Sequence, residues 1–253
     1  MNKKIKGAVI ILLCIVFFSS VTLIIQIAAG YRMTDALYKE SAETYTAEKK
    51  TDSAKDGEDA ETAPITVDFD ELRKVNEDIA GWLYCEGTAI NYPVMQGEDN
   101  DFYLNHTYDK SPNRAGSLFV EALNAPDFAD SNTIIYGHHM KDGSMFASLR
   151  KWADQEYYEE HPVFWLLTPK QDYRILLFGG YTTSATSDVY TIFQGPCPEL
   201  DEYLKAVCAR SDFRAGAEPD SNGRFVLLST CEYDFEDARY VLHGMLVPVK
   251  DIE

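Results

Sequence analysis

The sequence predicts a mainly β protein: a closed, antiparallel-rich barrel of seven or eight short strands, with only a few helices. Three observations carry this expectation. From residue 65 onward, short β-branched and aromatic runs recur between turn residues. Few stretches show helical spacing, and strands do not alternate regularly with helices as a doubly wound sheet would require. The chain has 253 residues, 45% apolar and 25% charged, which is an ordinary globular balance. That length accommodates one domain of roughly 150–200 residues plus extras.

The N-terminus comes first. Lys3, Lys4 and Lys6 precede GAVIILLCIVFFSSVTLIIQIAAG, residues 7–30, a run without a charge. As a helix it would be about 36 Å long at ~1.5 Å per residue, enough to cross a ~30 Å hydrocarbon core. The basic flank predicts a single-pass topology with residues 1–6 cytoplasmic and everything after Gly30 outside the cell. A cleaved signal peptide fits less well, because the run exceeds the ~7–15 residues of a signal core and no A-x-A site follows. Leu13 before Cys14 is too bulky for a lipidation site, so Cys14 reads as an apolar residue of the span. Residues 31–64 are rich in Ala, Glu, Lys, Asp and Thr. Such a segment cannot bury enough surface to offset its chain entropy, so it reads as a flexible extracellular stalk, with a frayed helix continuing outward.

The folded domain spans 65–253. DFDELRKVNEDIAGW opens it as a helix capped by Asp68 or Asp70, with Leu72, Val75 and Ile79 at helical spacing and Gly81 closing it. The β-like runs follow: 82–85, 90–95, 117–120, 132–137, 163–168, 174–183, 224–230 and 238–249. SMFASLRKW (144–152) and PELDEYLKAVCAR (198–210) read as helices between strands.

Composition narrows the function. Lys plus Arg is 23 against 41 Asp plus Glu, a net charge of −18. So acidic a surface repels phosphate backbones, which disfavours a nucleic-acid partner. No GxGxxG or GxxxxGK[ST] motif signals a nucleotide. Five cysteines without a CxxC pair suggest neither a disulfide framework nor structural zinc, so no metal or cofactor is expected. Cys85, Cys197 and Cys208 read as free thiols, although Cys197 and Cys208 could pair. His106, His161 and His243 read as structural.

Three places could carry chemistry. In TIIYGHHMKDGSMF (133–146) a β-branched strand runs out into Gly137, His138 and His139; in FVLLSTCEY (225–233) an apolar strand ends on Cys231; and Arg239 opens the last strand. A thiolate attacks, an imidazole protonates a leaving group, and a guanidinium holds charge on an acyl oxygen. The order His, Cys, Arg differs from papain-like enzymes, in which Cys precedes His. On spacing alone, Cys231 reads more readily as a small buried hydrophobe than as a nucleophile, and either histidine as a polar surface residue.

IIYGHHMKDGSMF together with LLSTCEYDFEDARYVLHG resembles the paired signatures of class B sortases, the membrane-anchored cysteine transpeptidases of Gram-positive bacteria. GWLYCEGTAINYPVMQGEDNDFYLNH and NRAGSLFVE are also similar to class B sortase text, so the resemblance spans roughly residues 68–249. It implies a closed eight-stranded β-barrel with an N-terminal helix and a helix inserted between late strands. It implies a catalytic trio of His138, Cys231 and Arg239, with His139 the competitor of His138. Alternate residues of a strand share a face, so Tyr136 should accompany His138, and Ser229 should accompany Cys231. Glu232, Asn100 and Leu104 match groove-lining positions, and TTSATSDVYTIF (182–193) should be the substrate-side loop, with Tyr190 a further candidate. The first position of LLSTC carries Leu where Thr is common.

The activity so implied is cleavage of a C-terminal sorting pentapeptide, LPxTG-like or NPxTx-like, in a secreted protein. A thioacyl enzyme then passes the new carboxyl end to the amine of a lipid-linked cell-wall precursor. A pilus-polymerising class B sortase, a cell-surface cysteine peptidase and a non-catalytic anchored binding module are the alternatives.

Overall fold

The computed structural model describes residues 3–49, 62–231 and 237–249, with Cys231 described through its backbone. The chain divides into two compact units, residues 1–40 and 41–253. Helix α1 runs Lys3–Tyr45. Its most apolar 18-residue window has a mean hydropathy of 2.6, so it is long and apolar enough to cross a bilayer. Leu13, Phe17 and Phe18 point outward. Ser19, Ser20 and Thr22 turn their hydroxyls back onto carbonyls one turn earlier, at 2.7, 2.8 and 2.9 Å. Satisfying polar groups within the helix is what a lipid-facing segment requires.

The segment expected as stalk is not uniform. After α1 reaches Tyr45, strand β1 (Thr46–Glu48) pairs antiparallel with β2 (Ile65–Val67). Lys49 N–H donates to Pro64 O and Asp68 N–H to Tyr45 O, both at 2.8 Å. These long-range bonds, with Ala63 and Ile65 buried, hold residues 45–49 within the second unit. Local composition carries no trace of such a partner.

Helix α2 (Phe69–Val75) begins as expected at Asp68, whose carboxylate accepts from Glu71 N–H at 3.0 Å. It ends earlier than the apolar spacing suggests. Asn76 turns the chain out of the helix: its Oδ1 accepts from Asp78 N–H, and its Nδ2 donates to Tyr103 Oη and Tyr108 O. Ile79 and Gly81 therefore belong to the first barrel strand. A tertiary anchor on a polar side chain has overridden the 3.6-residue pattern.

The barrel is formed by β3 (Ile79–Tyr84), β4 (Asn91–Met95), β5 (Leu118–Val120), β6 (Asn132–Gly137), β7 (Val163–Leu167), β8 (Tyr173–Ser184), β9 (Arg224–Cys231) and β10 (Ala238–Pro248). They close in the order β10-β8-β7-β3-β4-β5-β6-β9. Pairs β4–β5 and β6–β9 are parallel and the rest antiparallel. Each expected run becomes a strand, because a two-residue period with one buried face leaves little choice of register. The stretch expected as a helix over 144–152 is a 3-10 segment, Phe146–Ala153, that buries Phe146, Leu149 and Trp152. The sequence pattern passes over α3 (Gln155–Glu160), which Asp154 caps by accepting from Glu156 N–H at 2.8 Å.

Helix α4 (Pro198–Arg210) is the inserted helix. Leu200, Leu204 and Val207 pack on the outer face of β6, β8, β9 and β10 against Ile134, Phe178, Tyr181, Phe225, Leu227 and Val241. At about 1.5–3 kcal/mol for each fully buried large apolar side chain, this layer holds the outer sheet face rigid. That face carries the site.

Candidate active site

Strand register assembles the site. Strand β9 lies between β6 and β10. Its Ser229 is level with Tyr136 on one side and Val241 on the other, and Cys231 is level with Arg239. On β6, the last pair is Gly137 with Thr230, the residue before Cys231, and His138 is the first residue past the strand. Across β10, Arg239 faces Thr183 of β8. Positions 231, 239 and 183 therefore form one cross-strand row at the barrel rim, at neighbouring spacings of ~4.8 Å, and His138 follows directly on the end of β6 beside it. Counting by twos places 231 on the face of Phe225, Leu227 and Ser229, the face on which α4 packs.

His138 is half-buried, and its Nε2 lies 2.7 Å from Leu104 O. A carbonyl only accepts, so Nε2 carries a hydrogen, and in the neutral imidazole Nδ1 is the nitrogen with the lone pair. The Leu104 carbonyl ends the 3-10 turn Phe102–Leu104. That turn is anchored by Tyr103, whose carbonyl accepts from Ser117 N–H and whose hydroxyl donates to Asp78 Oδ2 at 2.6 Å. Gly137 lets His138 emerge here, since a Cβ at 137 would lie 2.5 Å from Leu118 Cδ2 and 2.6 Å from Phe146 Cδ2. His139 sits on an isolated bridge to Met145. Arg239, half-buried, donates from Nη1 to Ala238 O at 2.9 Å.

Below this row lies an aromatic wall. Tyr136 and Tyr190 stack with ring centroids 6.3 Å apart and planes at 25°. Tyr190 belongs to a 3-10 turn, Asp188–Tyr190, in the β8–α4 connection, and its hydroxyl lies 2.9 Å from Ser229 Oγ. Ser229 is accordingly only 2% exposed. Burial, followed by the nearby Glu121 charge, pushes the Tyr136 hydroxyl pKa well up, so the phenol stays protonated.

The structure ties two of the expected groove residues, Asn100 and Tyr136, to one that the sequence pattern does not single out. Glu121, 8% exposed, accepts from Asn100 Nδ2 at 2.7 Å, from Tyr136 Oη at 2.9 Å and from Leu123 N–H at 3.2 Å. Asn100 Oδ1 in turn accepts from Ala122 N–H at 2.8 Å. A carboxylate one residue past a short apolar strand reads as an ordinary exposed strand end, and only the fold folds it inward. Glu232 lies outside the described residues.

The remaining candidates have other surroundings. Cys85 is buried, with its thiol on Val163 O at 3.5 Å, and burial pushes its pKa up to about 12. Such a thiol is no nucleophile at neutral pH. Cys197 and Cys208 are free. His243 is enclosed by Phe178, Tyr181 and Tyr203. His106 stacks on Phe102, and His161 packs on Trp152 and Tyr157. Among the described residues no cluster of His, Cys, Asp and Glu could hold a metal ion.

A sortase B of Listeria monocytogenes is 42% identical to this chain over 182 residues, covering 70% of the chain and 73% of the relative. The chain belongs to the sortase B family. It is thereby placed among the sortase transpeptidases, and the barrel agrees. A B. anthracis sortase B solved in complex with AAEK1 superposes with a TM-score of 0.72 at 31% identity, covering 87% of this chain and 99% of that one. A Staphylococcus aureus sortase B–substrate complex gives a TM-score of 0.68 at 31% identity, covering 72% and 85%. No family model matches the chain.

Proposed function

We propose that the protein is a membrane-anchored sortase that cleaves a C-terminal sorting pentapeptide, LPxTG-like or NPxTx-like, and transfers the acyl fragment to a cell-wall precursor amine. The observation that carries this reading is the cross-strand pairing of Cys231 with Arg239, one register step beyond Gly137 paired with Thr230. That register supports a reading in which Cys231, Arg239 and His138 act together at the end of an aromatic groove. The sortase B solved with its substrate supports the peptide side of the reading.

In this mechanism the Cys231 thiol gives its proton to His138 Nδ1, while Nε2–H stays on Leu104 O. Sulfur bonds to the scissile carbonyl carbon, and Arg239 holds the resulting oxyanion. As the C–N bond breaks, His138 Nδ1 returns the proton to the departing amine, leaving a thioacyl enzyme. The acceptor amine then attacks, His138 takes its proton, and the sulfur leaves and is reprotonated. Every proton is accounted for by His138 and the reactants, and no cofactor enters these steps. The wall of Tyr136, Tyr190, Asn100 and Leu104, backed by the buried Ser229, receives the peptide and limits competition from water.

Helix α1 serves as the anchor, with Lys3, Lys4 and Lys6 holding the N-terminus in the cytoplasm and the barrel outside. Anchoring keeps the barrel near emerging substrates and lipid-linked precursor, raising their effective concentration.

The test is intact-mass spectrometry of the chain with a pool of sorting peptides, with and without an oligoglycine or diaminopimelate-type amine. An adduct on Cys231 that converts to ligated peptide is expected. An adduct that only hydrolyses makes the protein a peptidase. An alkylation-inert Cys231 that forms no adduct makes it a binding module.

A further inference from the structure

We infer that Glu121 is a positioning residue of the peptide groove: its buried carboxylate holds the Asn100 turn to the Tyr136 strand and so fixes the wall that receives the sorting signal. The inference rests on the groove assignment above, and it assigns a role to a residue outside the cross-strand row.

The geometry is that of a clamp. Oε1 accepts from Asn100 on the turn that precedes Leu104, and Oε2 accepts from Tyr136 on β6. These two elements lie far apart in sequence, and a single carboxylate spans them. From Tyr136 the linkage continues by ring stacking to Tyr190 and by a 2.9 Å hydroxyl contact to Ser229. One end of the wall is thus tied to the other through Glu121. Backbone N–H of Leu123 also donates to Oε1, which fixes the carboxylate itself. A buried carboxylate holding three donors is an expensive way to close a strand end, since an apolar residue would fill the same space without desolvating a charge. Ionised, it is acceptor-only, so both Asn100 and Tyr136 must present donors to it and their orientations are determined. Asn100 responds by turning its own acceptor to Ala122 N–H, leaving neither end of its amide to rotate.

Three substitutions separate reach, charge and fold. Glu121→Ala removes the clamp. Glu121→Asp keeps the charge but is one methylene too short to reach both partners. Glu121→Gln keeps the reach, with its oxygen toward Asn100 and its amide toward the Tyr136 oxygen. The full chain in detergent is assayed for peptide turnover, for alkylation of Cys231 by iodoacetamide, and for backbone hydrogen exchange. Glu121→Ala and Glu121→Asp are expected to raise KM for the sorting peptide by roughly tenfold or more with kcat changed far less, the signature of lost binding rather than lost chemistry. Alkylation of Cys231 should be unchanged, exchange should quicken in 99–105 and 187–191, and Glu121→Gln should recover most of the loss. A role confined to folding would instead depress alkylation and quicken exchange throughout the barrel. If KM and local exchange in Glu121→Asp match the wild type, the inference is overturned. If wild-type chain turns over no sorting peptide, the proposed function fails, while hydrogen exchange still decides whether Glu121 holds the wall.

Discussion

His138 gives its Nε2 hydrogen to the Leu104 carbonyl at 2.7 Å. In a serine-protease triad a buried carboxylate fixes the imidazole tautomer; here a backbone oxygen does so. A neutral acceptor fixes the ring through a hydrogen bond and brings no charge of its own to the imidazole. In the proposed mechanism Nδ1 is the nitrogen that exchanges protons with the thiol and the departing amine.

His138→Ala should therefore lose at least ~100-fold in kcat/KM, the lower range for general acid–base catalysis. His139→Ala, altering a residue bridged to Met145, should stay within about threefold of wild type, a difference of ~0.7 kcal/mol. Steady-state peptide cleavage decides, and the reverse order would move the assignment one residue along.

Cys231→Ala should abolish acyl transfer while the circular-dichroism spectrum is retained. Arg239→Lys should lose on the order of 100-fold in kcat, because an ammonium cannot reproduce the planar fork of a guanidinium at a developing oxyanion. Retention of most of the rate in Arg239→Lys, measured by single-turnover acylation, would remove the oxyanion role.

Gly116 has a φ of +58°, and a Cβ there would lie 2.3 Å from Tyr103 O and 2.7 Å from Leu104 O. Gly116→Ala must push away the carbonyl that orients His138. The expected result is a loss of about 1–3 kcal/mol in stability, accompanied by a fall in kcat. Thermal unfolding and kcat are the measurements; a variant destabilised yet fully active would show that the Leu104 contact is dispensable.

His243 is fully enclosed, with Nε2 lacking a hydrogen-bond partner, and burial pushes its pKa down from 6.5 to about 3. The unfolded chain binds a proton at this residue below pH 6.5 that the folded chain refuses until about pH 3. Its contribution to stability is complete above the unfolded value and is lost as pH falls through that window, at up to about 1.4 kcal/mol per pH unit. Urea unfolding at pH 7 and pH 5 should show this loss in wild type and a smaller loss in His243→Leu. Equal pH dependence in the two would mean that other groups carry it.

The eight barrel strands were legible because each is a short apolar run bounded by turn residues, and α4 because Leu200, Leu204 and Val207 recur at helical spacing. Ile79 and Gly81 were misassigned to a helix because Asn76 finds partners in Tyr103 and Tyr108, residues that sequence spacing cannot bring to it. Strand β1 was missed for a similar reason: its pairing partner lies across residues of unlike composition. Alternation along single strands placed Tyr136 and Ser229 on faces shared with the candidate catalytic residues. Their direct pairing required the register of β6 on β9.

By itself the sequence determined which residues could be strand, which helix could span a bilayer, and which thiol, imidazole and guanidinium were candidates for chemistry. These follow from side-chain chemistry and periods of 2 and 3.6, properties local to the chain. Tertiary structure alone decided that Leu104 holds His138 and that Glu121 turns inward to join Asn100 and Tyr136. Those contacts join segments separated by 34, 21 and 15 residues, and a hydrogen bond has meaning only once closure of the barrel has brought donor and acceptor within its reach.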